Sequence, residues 1–179
     1  MMKSKDLVIQ SEIENLLQSR SSGQNLKSYF ENLPDHKVRR AIVILSRIYP
    51  DKNTVSDDDL EFIICMLSKE RYLEQDSFFN FIHSLNLIEF TETQKDTLIP
   101  VIQKHFETLC ENCTFELDNL LVNIFKLPDL FEYMKTLAEE GSTAVLQHIA
   151  DILRYEHFSD DKVSAEALEI LEQKISRKL

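Results

Sequence analysis

The 179-residue chain is 43% hydrophobic and carries five Tyr and eleven Phe, which excludes a disordered polymer. Only two Gly and four Pro are present, too few for the many tight turns of a sheet protein, so the expected fold class is all-α. Twenty Lys and Arg against 31 Asp and Glu leave a formal charge of −11. That balance disfavours nucleic acid as a partner, because phosphate neutralisation needs a basic footprint.

No leader is expected: Met1–Lys5 carries two lysines, but the apolar run after it is too short. No run approaches the ~18 apolar residues of a membrane span. Three Cys is an odd number without a disulfide framework, and the expected compartment is a reducing cytoplasm.

In chain order, Ile13, Leu16 and Leu17 share a face of a first helix, with Ser11 and Glu14 at capping-box spacing and Ser21-Ser22-Gly23 as its end. Residues 1–23 then read as an N-terminal capping helix. Leu26, Tyr29 and Phe30 line a second helix, Leu33-Pro34-Asp35 breaks the chain, and Val38, Ala41, Ile42, Leu45 and Ile48 line a third. Ser56 precedes Asp57, Asp58 and Asp59, a helix start in which the carboxylates favour the positive end of the dipole. Asp76 or Ser77 can start the helix carrying Phe78, Phe81, Ile82 and Leu85, and Thr91 with Gln94 marks another start. Pro100 requires a kink or a restart in the helix that follows. Phe158-Ser159-Asp160-Asp161 introduces the last helix, which ends on Lys174, Arg177 and Lys178. About ten helices joined by short loops make one domain, 1–179, the economical organisation.

Residues 98–155 can be laid on themselves without a gap at an offset of 29. Leu98 falls on Leu127, Ile102 on Phe131, Leu117 on Leu146, Leu120 on Ile149 and Ile124 on Leu153, with polar breaks at Glu111-Asn112-Cys113 and Glu139-Glu140-Gly141. Such a self-match points to stacked antiparallel helix pairs. The run Asp35-His36-Lys37-Val38-Arg39-Arg40-Ala41 resembles the turn and second-helix start of HEAT-type repeats. The resemblance implies a HEAT-like solenoid of paired helices with a protein-binding role; a compact helical bundle is the alternative.

Catalytic signals are sparse. Cys110 and Cys113 have the two-residue spacing of a zinc-binding pair, with His105 nearby, but a structural site wants four ligands. His148 and Asp151 could share a face as base and orienting carboxylate, though their tandem counterparts Asn119 and Val122 do not repeat the pair. Two glycines cannot build a phosphate loop, no nucleophile elbow is present, and no cofactor is expected. Lys37, Arg39, Arg40 and Arg47 make one helix locally basic.

What remains is surface. Placing Leu117, Leu120, Leu121 and Ile124 in the core turns Asn119 and Asn123 away from it, and His148, Asp151 and Tyr155 follow in the next pair. Second helices of stacked pairs line the binding groove, so these five are the candidate partner-binding residues. The expected function is a non-enzymatic protein-protein interaction module. In its sharpest form the acidic chain masks a basic partner, as an inhibitor or immunity-type protein does. The alternatives are a scaffold or secretion chaperone binding a peptide segment, a helical regulator of signalling, and a metal-dependent hydrolase.

Overall fold

In the computed structural model, residues 4–19, 22–49, 54–140, 145–147, 149–150 and 162–178 are described. The fold is all-α, and no strand occurs among the described residues. The helices are α1 (Ser4–Leu17), α2 (Ser22–Asn32), α3 (Asp35–Ile48), α4 (Asp57–Ser68), α5 (Glu70–Leu73), α6 (Phe78–Leu85), α7 (Glu92–Lys104), α8 (Phe106–Ile124), α9 (Leu127–Glu140) and α10 (Lys162–Lys178). Residues 145–147 and 149–150 are helical as well. No described helix is long and apolar enough to cross a membrane.

Local chemistry explains most of these boundaries. Ser56 accepts from the Asp59 amide while Asp59 accepts from the Ser56 amide, and Thr91 with Gln94 forms the same reciprocal cap. Pro34 stands just before α3, its preset φ ending the preceding turn. Pro100 lies within α7, which runs on from Glu92 to Lys104 as one helix. The break at Glu111-Asn112-Cys113 takes the form of a kink: Cys113 leaves helical dihedrals (φ −136°, ψ 30°) inside α8.

Two N-terminal boundaries differ from expectation. Ser11 lies in the middle of α1 rather than at its start, and Ser22 and Gly23 open α2 rather than close α1. The reason is tertiary. Gly23 is buried where α2 meets the start of α4, and a Cβ there would overlap the Asp58 carbonyl and the Asp59 amide. A helix-breaking residue is used for close approach. Ser22 Oγ donates to Asp59 Oδ1 (3.0 Å) and Gln24 Nε2 to Asp58 Oδ1 (3.1 Å), which fixes the contact.

Two compact units are present, residues 1–124 and 125–179. In the first, α2 packs on α4 and α4 on α7, while α3 packs on α6 and α6 on α8; α1 covers α2 and α3. First helices thus stack on first helices and second helices on second. The first helices α2, α4 and α7 begin at 22, 57 and 92. Their buried pairs Leu26/Phe30, Phe62/Met66 and Leu98/Ile102 recur every 36 residues. The second helices carry buried quartets with one internal spacing: Val38-Ala41-Ile42-Leu45, Phe78-Phe81-Ile82-Leu85 and Leu117-Leu120-Leu121-Ile124. Aromatic rings link the first two pairs, with Phe30 against Phe62 (5.7 Å) and Tyr49 against Phe62 (5.9 Å), and Phe62 meets Phe81 (6.1 Å) within the second.

The second unit holds α9 and α10, packed on each other, with Leu130, Met134 and Leu171 buried and Phe125 stacked on Tyr133 at 6.0 Å. Its buried residues extend the series in sequence. Leu146, Ile149 and Ala150 follow Leu117, Leu120 and Leu121 at an offset of 29, whereas Leu130 and Met134 follow Leu98 and Ile102 at 32.

One side chain joins the first two pairs across a polar seam. Arg71 Nη1 and Nη2 donate to the Glu31 and Leu33 carbonyls at the end of α2 (3.3 and 2.7 Å), and Nη2 lies 2.9 Å from the Asp35 carboxylate at the start of α3. The guanidinium satisfies orphan carbonyls and pairs with an acid in one plane.

Gly23→Ala is expected to destabilise the chain by roughly 1–3 kcal/mol, because backbone rather than a flexible side chain must move. At about 2–4 °C per kcal/mol for a protein of this size, thermal unfolding should show a clear drop, with exposed Ser28→Ala as an unchanged control.

Candidate functional site

The candidate residues fall into two groups. Asn119 and Asn123 lie on α8, whereas His148, Asp151 and Tyr155 lie outside the described residues. Asn119 is exposed. Asn123 is half-buried and spends its amide on the Ile88 carbonyl (3.0 Å), tying α8 to the loop after α6. Asn86 makes the matching tie, donating to the Glu116 carbonyl (3.2 Å). Asn123 therefore holds neighbouring pairs together, and Asn119 faces outward.

His105, Cys110 and Cys113 flank the α7–α8 joint. His105 is half-buried at the end of α7; burial holds its imidazole below the usual range, Lys104 adds to that, and Glu70 opposes it. Cys110 and Cys113 are buried free thiols, each pushed up to about 12, chiefly by burial. At neutral pH both carry their protons. Among the described residues no group of three His, Cys, Asp or Glu side chains is placed to hold a metal ion. Cys65 is likewise buried, its thiol raised by burial, and its Sγ donates to Glu31 Oε1 (3.8 Å). Lys69 Nζ lies 2.6 Å from that same oxygen, and this bond holds the Glu31 carboxyl below its usual range against the opposing effect of burial.

A coherent surface emerges from the second helices. Opposite the buried quartet of α3, His36, Arg40, Val43 and Arg47 recur at the spacing of a single helix face. Asn80, His83 and Leu87 occupy the corresponding places on α6 and the turn after it, and Asn119 and Val122 those on α8. His36, Arg47, His83, Leu87 and Asn119 are exposed, and Val43 and Val122 are half-buried. Leu87, 61% exposed, is large, apolar and uncovered.

At the α1 edge this face runs into a cleft of about 420 Å³ lined by Asp6, Val8, Ile9, Glu12, His36, Lys37 and Arg40. Arg40 closes on Asp6 through two parallel bonds, Nε to Oδ1 (2.9 Å) and Nη2 to Oδ2 (2.8 Å). Glu12 accepts from the Tyr29 hydroxyl (2.8 Å). Val8, in the lining of the cleft, is 57% exposed.

Charge differs sharply between α3 and α4, while α8 carries Glu107, Glu111, Glu116 and Asp118 and no Lys or Arg. The α3 segment carries Lys37, Arg39, Arg40 and Arg47 against Asp35 alone, and α6 carries no acid. The α4 segment carries Asp57, Asp58, Asp59 and Glu61 and no Lys or Arg. The basic character of α3 is visible in the sequence. The signal that joins it to Leu87 and Asn119 is the repeated quartet, which aligns their outward positions.

Comparison with family models, with curated proteins and with solved structures matches the chain to none of them.

The two raised thiols make a pH prediction. Folded Cys110 and Cys113 keep their protons to about pH 12, whereas an unfolded thiol ionises near ~8.5. The unfolded chain then binds fewer protons, so stability falls as pH rises above about 8.5. Urea midpoints at pH 7 and 10 should drop further for the wild type than for the Cys110→Ala/Cys113→Ala variant.

Proposed function

We propose that the chain is a non-catalytic protein-binding module of helical-repeat, HEAT-like kind, with its partner seated across the outward face of α3, α6 and α8. The observation that carries this reading is the exposed set Arg47, His83, Leu87 and Asn119, aligned on successive second helices. These positions stand opposite the buried quartets and leave the stack intact without them. A leucine beside an arginine and an amide offers the mix of apolar anchor and polar rim on which protein interfaces are built.

A second reading rests on α4. Its four acids without a basic residue favour a basic partner, masked as an inhibitor or immunity-type protein would mask it. The two readings use different layers of helices, so surface variants separate them. Leu87→Asp with Asn119→Ala is expected to abolish capture of a stoichiometric partner if the partner sits on the second helices, with circular dichroism unchanged. Retained capture by that variant, lost instead on Asp57→Lys with Glu61→Lys at unchanged circular dichroism, would assign the contact to α4.

A further inference from the structure

Resting on the second-helix reading above, we infer that this face takes an acidic, amphipathic segment of another protein, although the chain itself carries a charge of −11. On α3 and α6 the unpaired charges are cationic. Among the described residues the side chains of Lys37 and Arg47 make no ion pair or hydrogen bond, while Asp6 is paired with Arg40 and Asp76 with Arg39 (2.9 Å); Glu12 accepts from the Tyr29 hydroxyl and keeps its charge. Exposed His36 and His83 add ring N–H donors. A basic segment would meet Arg40, Arg47 and Lys37 and find no free carboxylate on α3 or α6, since Asp35 is held by Arg71. An acidic one would gain pairs at both ends of α3.

The apolar half of the segment has places to go as well. Val8, Val43, Leu87 and Val122 are exposed or half-buried along the same face, and the α1–α3 cleft is large enough for a leucine or phenylalanine side chain. Helices packed at ~8–10 Å put α1 and α8 roughly 24–30 Å apart across the layer. An α-helical segment of about 18 residues covers that distance at ~1.5 Å per residue. The division of charge also orients the encounter, since an acidic segment is repelled by Asp57–Asp59 on α4 and drawn toward α3.

The test is selection from a random 18-residue peptide display library on the immobilised full chain, followed by fluorescence anisotropy with the synthesised winners. Winners with a net charge of about −3 or lower and interspersed apolar residues are expected. Their affinity should fall tenfold or more with Arg47→Glu and with Leu87→Asp, and a Glu→Lys change in the peptide should restore binding to the Arg47→Glu chain. Basic winners, or acidic winners indifferent to both variants, would overturn the inference. A selection yielding no peptide also overturns it, while capture of a partner lost on Leu87→Asp would still uphold the binding face.

Discussion

A second helix in this chain cannot cover its own apolar quartet. Val38, Ala41, Ile42 and Leu45 find their neighbours on α6, and the quartet of α6 finds its neighbours on α8. First helices obey the same condition along α2, α4 and α7. Everything else in the first unit follows from this need of each layer for the next. Gly23 removes a side chain where α2 meets α4, Arg71 seals the carbonyls that the α2–α3 turn leaves open, and Asn86 and Asn123 tie the α6 loop to α8. With inward positions committed to stacking, the outward positions are left free to differ in chemistry, and they do.

Helix content and most starts were legible in the sequence because they are written locally. Gly and Pro scarcity, the capping pairs Ser56/Asp59 and Thr91/Gln94, and apolar spacing act within a few residues. Gly23 was misread for the opposite reason. A glycine after serines has the local signature of a helix end, and only Asp58, 35 positions away, gives it another role. Arg71 has no local signature either, since its partners Glu31, Leu33 and Asp35 lie 36 to 40 residues upstream.

Leu117 and Leu146, which the self-match over 98–155 lays on each other, are both buried. The clearer repeat lies upstream. It is hidden because the residue types vary within fixed positions, with Val38, Phe78 and Leu117 filling the same place. Burial tolerates such exchange when total volume is kept, so a comparison of letters misses what a comparison of burial finds. The same holds for the candidate site. Asn119 was identified from one helix alone, whereas Arg47, His83 and Leu87 join it only through the aligned quartets.

The mooring of α1 has a consequence of its own. Ile9 and Ile13 are buried against the first pair, yet the helix is also held by the Asp6–Arg40 fork and the Glu12–Tyr29 bond at its rim. It covers apolar surface of α2 and α3 that would otherwise face solvent. Its anchors are polar at the rim and apolar only along one stripe, which makes it the natural place for hydrogen exchange to begin.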